Sequence, residues 1–256
     1  MNRGPGWPTV LALTLVVLSF SVVHPLQLLL VPLAFLLVAL PPRRLGLVLF
    51  AALLVSAAFL GPRGALWSVE RGWALVLSGW FVVAVLARPG WSFVTRAVAA
   101  TAATMATGAG LIAVAGSWAE LDWAIRSQYR EMAETMARSW PGDLSAEVVD
   151  LAATVQAQLF PSFLAVGSVA ALAVAWWGYS RLARRGRTLG RLTEFRFPDV
   201  LLWVLIAGVA LLVAPVEEWG VRLGSNLVFF MGALYTLRGL AVLAALVLGL
   251  GGPQLP

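Results

Sequence analysis

The sequence predicts an all-α fold: a polytopic transmembrane helical bundle of about eight spans with an outer amphipathic helical segment. Three observations predict it. Of 256 residues, 61% are hydrophobic and only 12% are charged, about half the charge of an ordinary soluble domain. Mean hydropathy is +0.89. The charge that remains falls between long apolar runs rather than within them. Length then converts into a number of spans, and residues 1–256 read as one membrane domain.

A hydrocarbon core of about 30 Å takes roughly 20 helical residues. Spans are expected at 9–23, 26–40, 45–60, 66–87, 92–116, 161–180, 199–215 and 223–250. His24-Pro25 divides the first pair, either as a turn between two short spans or as a kink in one long one. Pro41-Pro42-Arg43-Arg44, Gly61-Pro62-Arg63-Gly64 and Arg88-Pro89-Gly90 combine helix breakers with charge and mark the next boundaries.

Charge sets the orientation. All 18 basic residues are arginine, and the net charge is +6. With the N-terminus inside, Arg3, Arg43, Arg44, Arg88, Arg96, Arg181, Arg184, Arg185, Arg187, Arg191 and Arg196 fall on the inner side, against Glu194 and Asp199. The outer side then holds Arg63, Arg71, Arg126, Arg130, Arg138 and Arg222 with the other ten acids. This is the positive-inside pattern, and it places both termini in the cytoplasm.

The segment 117–160 is expected as an extracytoplasmic insertion of two helices broken at Pro141-Gly142. In the first, Leu121, Ile125, Met132 and Met136 share one face. Asp143 or Ser145 caps the second, which carries Val148, Leu151 and Val155. With Trp118, Trp123, Tyr129 and Trp140, the pair either lies on the outer leaflet or forms a lid over the bundle. In span 92–116, Ala99, Ala103, Ala106, Gly110 and Ala113 recur at helical spacing, which suits an interior helix or the wall of a ligand cavity.

Few polar residues invite chemistry. Arg238 stands in the apolar run 227–250 and needs a partner or a route to the interface. In an antiparallel hairpin turning near Glu218-Trp219, Asp199 lies at the same depth, so a structural ion pair Asp199–Arg238 is expected. The alternative is snorkelling of Arg238 to cytoplasmic phosphates. Asn226 is a candidate interhelical contact. Glu70 and Arg71 read as a solvated helix end. Arg181, Arg184, Arg185, Arg187 and Arg191 form a cytoplasmic surface for anionic lipid or for a protein partner.

Zero cysteines and one histidine exclude thiolate metal sites, and a single His24 makes zinc ligation implausible. No nucleotide-binding, serine-hydrolase or zinc-protease motif occurs. No catalytic residue, metal ligand or cofactor is therefore assigned, and the chain is expected not to be an enzyme. The arginines do not gather on a soluble face, so no nucleic-acid partner is expected.

The stretch Thr193-Glu194-Phe195-Arg196-Phe197-Pro198-Asp199, then Gly224-Ser225-Asn226, then Leu237-Arg238-Gly239-Leu240-Ala241-Val242 resembles the YybS-like family of bacterial membrane proteins, which carry a domain of unknown function. Phe160-Pro161 and the basic loop also fit, so the resemblance covers residues 158–248. It implies a bacterial cytoplasmic-membrane protein. Through a distant similarity to the S components of energy-coupling-factor transporters, it also implies a transporter-like subunit that binds a small molecule and depends on a partner. The alternative is a non-transporting scaffold or interaction protein of the cell envelope.

Overall fold

A computed structural model describes residues 7–20, 25–40, 50, 52, 55–56, 67–139, 145–183 and 197–249. Among them are eight helices: α1 (Trp7–Phe20), α2 (Pro25–Ala39), α3 (Trp67–Ala87), α4 (Phe93–Ala115), α5 (Trp118–Ser139), α6 (Ala146–Leu182), α7 (Leu201–Val213) and α8 (Glu218–Gly249). No strand occurs among the described residues. The fold is an all-α bundle of membrane type. Helices α3, α4, α6 and α8 are long and apolar enough to cross a bilayer, while α1, α2 and α7 contain shorter apolar stretches. Within 9–40, the described residues fall in α1 and α2, with Leu40 following α2. Apart from helical residues 50, 52, 55 and 56, the span expected at 45–60 lies outside the described residues. So do His24, Pro41-Pro42-Arg43-Arg44, Gly61-Pro62-Arg63-Gly64 and Pro141-Gly142.

Helix α6 is the axis of the bundle. It packs against α1, α2, α4, α5 and α8, while α3 packs on α2 and α4, and α7 packs on α8. Its sequence explains this position. Gly167, Ala170, Ala171, Ala173 and Ala175 are small enough to let neighbours close in, and all are buried. Lipid is as apolar as leucine, so close packing and hydrogen bonds hold such helices together. Trp73 Nε1 on α3 donates to Ser168 Oγ on α6 at 3.0 Å. Phe81 lies edge-on to both Phe93 and Trp176, with ring centroids 6.0 Å apart in each case. Tyr179 OH donates to the Leu40 carbonyl at 3.0 Å, satisfying an acceptor at the end of α2.

These contacts sort the molecule into two ends. At one end, Leu40, the α3–α4 turn and Tyr179 come together. There Arg96 Nε and Nη2 donate to the carbonyls of Arg88 and Pro89 at 3.2 and 2.6 Å, and Ser92 caps α4 by accepting from Thr95 N–H. Phe197, Met231 and Leu234 pack there with Val94 and Val98 of α4. The other end carries α5, which follows α4 through Gly116. That glycine adopts φ 66°, a left-handed cap that closes on the Ala113 carbonyl.

The sequence reading needs three corrections here. The second outer helix and span six are one helix, α6, with Pro161 in its interior. Ser162 to Tyr179 covers about 26 Å at 1.5 Å per residue, close to the thickness of a hydrocarbon core. Residues 146–160 continue beyond it, and α5 packs back along them. Second, the face of α4 carrying Ala106, Gly110 and Ala113 is exposed, and the helix instead buries Arg96, Ala97, Ala100, Thr101 and Thr104. The close helix crossing lies elsewhere. A Cβ on Gly224 of α8 would sit 2.9 Å from the Gly208 carbonyl oxygen of α7, and one on Gly208 would sit 3.0 Å from Leu227 Cβ. Third, Arg71 is 4% exposed rather than solvated.

Candidate functional site

Helix α6 begins with a cap of its own. Ser145 is extended, and its side chain accepts from Val148 N–H. The helix runs unbroken to Pro161, which has no N–H to give to the Ala157 carbonyl one turn earlier. An acceptor left bare there costs free energy, because Ala157 is buried away from water. Two side chains of α8 fill the gap. Arg222 Nη2 donates to the Ala157 carbonyl at 3.3 Å. One turn on, Asn226 Nδ2 donates to the Gln158 carbonyl at 2.8 Å, and Asn226 Oδ1 accepts from Ser162 N–H at 2.9 Å. Gln158 and Ser162 are the pair that an unbroken ladder would join, so the Asn226 amide bridges the helix across its proline.

Both N–H donors of the amide are spent, the second on the Arg222 carbonyl at 2.8 Å. Ser162 Oγ lies 2.6 Å from the Asn226 backbone carbonyl and 2.8 Å from Oδ1, with one proton to give. Asn226 therefore joins α8 to α6. Around it, Gln158 Nε2 reaches Ser225 Oγ at 3.5 Å.

Arg222 carries the network to a third helix. Its Nη1 lies 2.8 Å from Asp122 Oδ1 on α5, and Arg126 Nε lies 2.8 Å from the other oxygen of the same carboxylate. Higher up, Arg130 of α5 pairs with Asp150 of α6 at 2.8 Å. Between these pairs, Ile125 and Tyr129 are buried in one cluster with Ala153, Ala157 and Phe160, and Leu121 packs against it. Met132 is exposed, so the packed face of α5 differs from the one expected; the side chain of Met136 lies outside the described residues. Tyr129 OH is buried without a hydrogen-bond partner, and burial pushes its ionisation well above the ordinary tyrosine range.

The arginine-bearing end is arranged more openly. Arg238 Nη1 lies 3.6 Å from Asp199 Oδ1, whose side chain is 91% exposed. The Arg238 guanidinium also sits 5.2 Å from the centre of the Phe197 ring, which packs edge-on against Tyr235. Arg181 lies over Trp177 at 5.4 Å, and Arg88 over Trp91 at 5.7 Å. Arg184, Arg185, Arg187 and Arg191 lie outside the described residues. Helix α8 stays helical through Gly239.

Among the described residues, no three His, Cys, Asp or Glu side chains gather as metal ligands. A shallow depression is lined by Ala119, Glu120, Trp123 and Ala124, all on α5 and none on a spanning helix. The proline break went unread because its meaning depends on α8. A signal was present, since Arg222 and Asn226 are four residues apart on a largely apolar helix and so share a face.

A chain of apolar spanning helices tied by one polar node can now be compared with known proteins. The family described as "Predicted membrane protein (DUF2232)" matches residues 9–251. The chain belongs to this family. No curated protein and no solved structure matches this DUF2232 chain. The match covers the node and the arginine-bearing end alike, so both lie within the DUF2232 region.

Proposed function

We propose that this DUF2232 protein is a membrane-embedded scaffold of the bacterial cell envelope, acting through contacts with other proteins rather than by carrying a solute. The observation that supports this reading is the close packing along α6 among the described residues. Along α6, Leu164, Leu172, Trp176 and Tyr179 are buried against the neighbouring helices. Trp73 closes on Ser168 across the same interior. A carrier keeps its substrate site near the midplane between helices, and among the described residues the middle of α6 is packed against its neighbours. The depression on α5 opens at the surface of one helix and adds nothing to a solute-binding reading.

In this proposal the protein lies in the cytoplasmic membrane with its arginine-bearing end inward and α5 outward, no enzymatic step is involved, and lipid and protein are the partners. The YybS-like resemblance accords with the cytoplasmic-membrane location. The transporter-like reading drawn from S components makes a different demand, a bound small molecule. Native mass spectrometry of the protein released from lipid nanodiscs separates the two. The scaffold reading expects protein with phospholipid alone. A small molecule retained at one copy per chain overturns it in favour of the transporter-like reading.

A further inference from the structure

We propose that the α5–α6 hairpin is an arm that pivots at Pro161, and that Arg222 and Asn226 of α8 are the latch holding it in the position seen here. Four observations meet in this inference. The hairpin is a unit of its own: Arg130 pairs with Asp150, and Ile125 and Tyr129 are buried with Ala153 and Ala157. The packing partner of α5 is α6. Its link to α4 is the short turn at Gly116, whose left-handed backbone ends one helix and frees the direction of the next. The other helix of the hairpin, α6, reaches the bundle through Pro161, which has no N–H for the helix ladder, and there bending is cheapest.

The latch spans that pivot. One guanidinium holds both strands of the arm, through Asp122 on α5 and the Ala157 carbonyl on α6. One turn further along α8, Asn226 grips α6 on both sides of the break, at Gln158 and at Ser162. The bonds to Asp122, Ala157 and Gln158 would change length if the arm swung relative to α8, while those to Ser162 and those within the arm would not. The closed position is therefore set by two side chains on a helix that does not belong to the arm. Whatever competes for Arg222 or Asp122 shifts the arm by as much as it favours the open state.

The chain has no cysteine, so spin labels attach only where cysteines are introduced. Thr135→Cys on α5 and Leu111→Cys on α4, both at exposed positions, report the arm against the bundle by double electron–electron resonance in nanodiscs. The parent pair should give one narrow distance distribution. Arg222→Gln should raise the population of a displaced arm roughly tenfold, equivalent to about 1.4 kcal/mol. Asn226→Leu should shift it in the same direction. Adding Pro161→Ala to Asn226→Leu should restore a single narrow distribution, because without the proline ring the helix can straighten and Ser162 N–H can bond the Gln158 carbonyl directly, without help from α8. If Arg222→Gln does not fold, Asp122→Asn opens the same ion pair from the α5 side and must broaden the distribution. A distribution unchanged by the loss of either latch residue overturns the proposal. So does a double variant that stays broad after the proline is removed.

Discussion

Asn226 shows how one side chain can decide the shape of a helix to which it does not belong. Its amide bonds both the Gln158 carbonyl and the Ser162 N–H, the two backbone groups that flank the proline break. Asn226→Leu is expected to lower stability by about 2–4 kcal/mol, since each buried polar group left without a partner costs about 1–3 kcal/mol. Chemical denaturation in detergent micelles measures the loss, and Pro161→Ala in the same chain should return part of it. Tyr129 makes the opposite case, a buried hydroxyl with nothing to bond. Its raised ionisation has a definite sign. Below about pH 10, the ordinary tyrosine value, the phenol is neutral in both folded and unfolded chains. Above it, the unfolded chain releases the proton and the folded one holds it, so stability falls as pH rises. Tyr129→Phe should abolish that alkaline slope and leave neutral-pH stability equal or higher. An unaltered slope in an alkaline denaturation series would mean that another group is responsible.

At the scale of elements, period and composition carried most of the information. The apolar runs at 66–87, 92–116 and 223–250 reappear as α3, α4 and α8, because hydropathy and helix-breaking pairs act locally. Local signals failed where a neighbour decides the outcome. Pro161 marks a boundary when read alone, yet it sits inside α6 because Arg222 and Asn226 serve the groups it frees. The small residues of α4 suggested a close crossing, but that crossing belongs to Gly208 and Gly224, where α7 meets α8. Nothing in a single helix shows which small residue faces a backbone. Gly224→Ala should force α7 and α8 apart and cost about 1–3 kcal/mol. Gly232→Ala on the same helix has no neighbour within 4 Å and should be neutral. Parallel thermal-unfolding measurements in detergent compare the two, and equal effects would remove the special role of the Gly208–Gly224 crossing.

For the whole molecule, sorting the arginines by loop anticipated which residues share an end. Leu40, the Arg88–Phe93 turn and Tyr179 meet at one end, while Asp122, Gln158 and Arg222 meet at the other. That sorting was legible because the insertion rule acts on loop charge alone. The projecting arm was not legible, because it depends on α6 continuing through its proline. The central claim is that α6 crosses the membrane between Ser162 and Tyr179 and carries the arm outward. Single cysteines tested with a membrane-impermeant maleimide address it directly. Ser127→Cys on α5 should label in intact cells, Arg181→Cys should label only after the membrane is opened, and Ala171→Cys, buried midway, should resist both. Labelling of Ser127→Cys and Arg181→Cys from the same side would contradict the account.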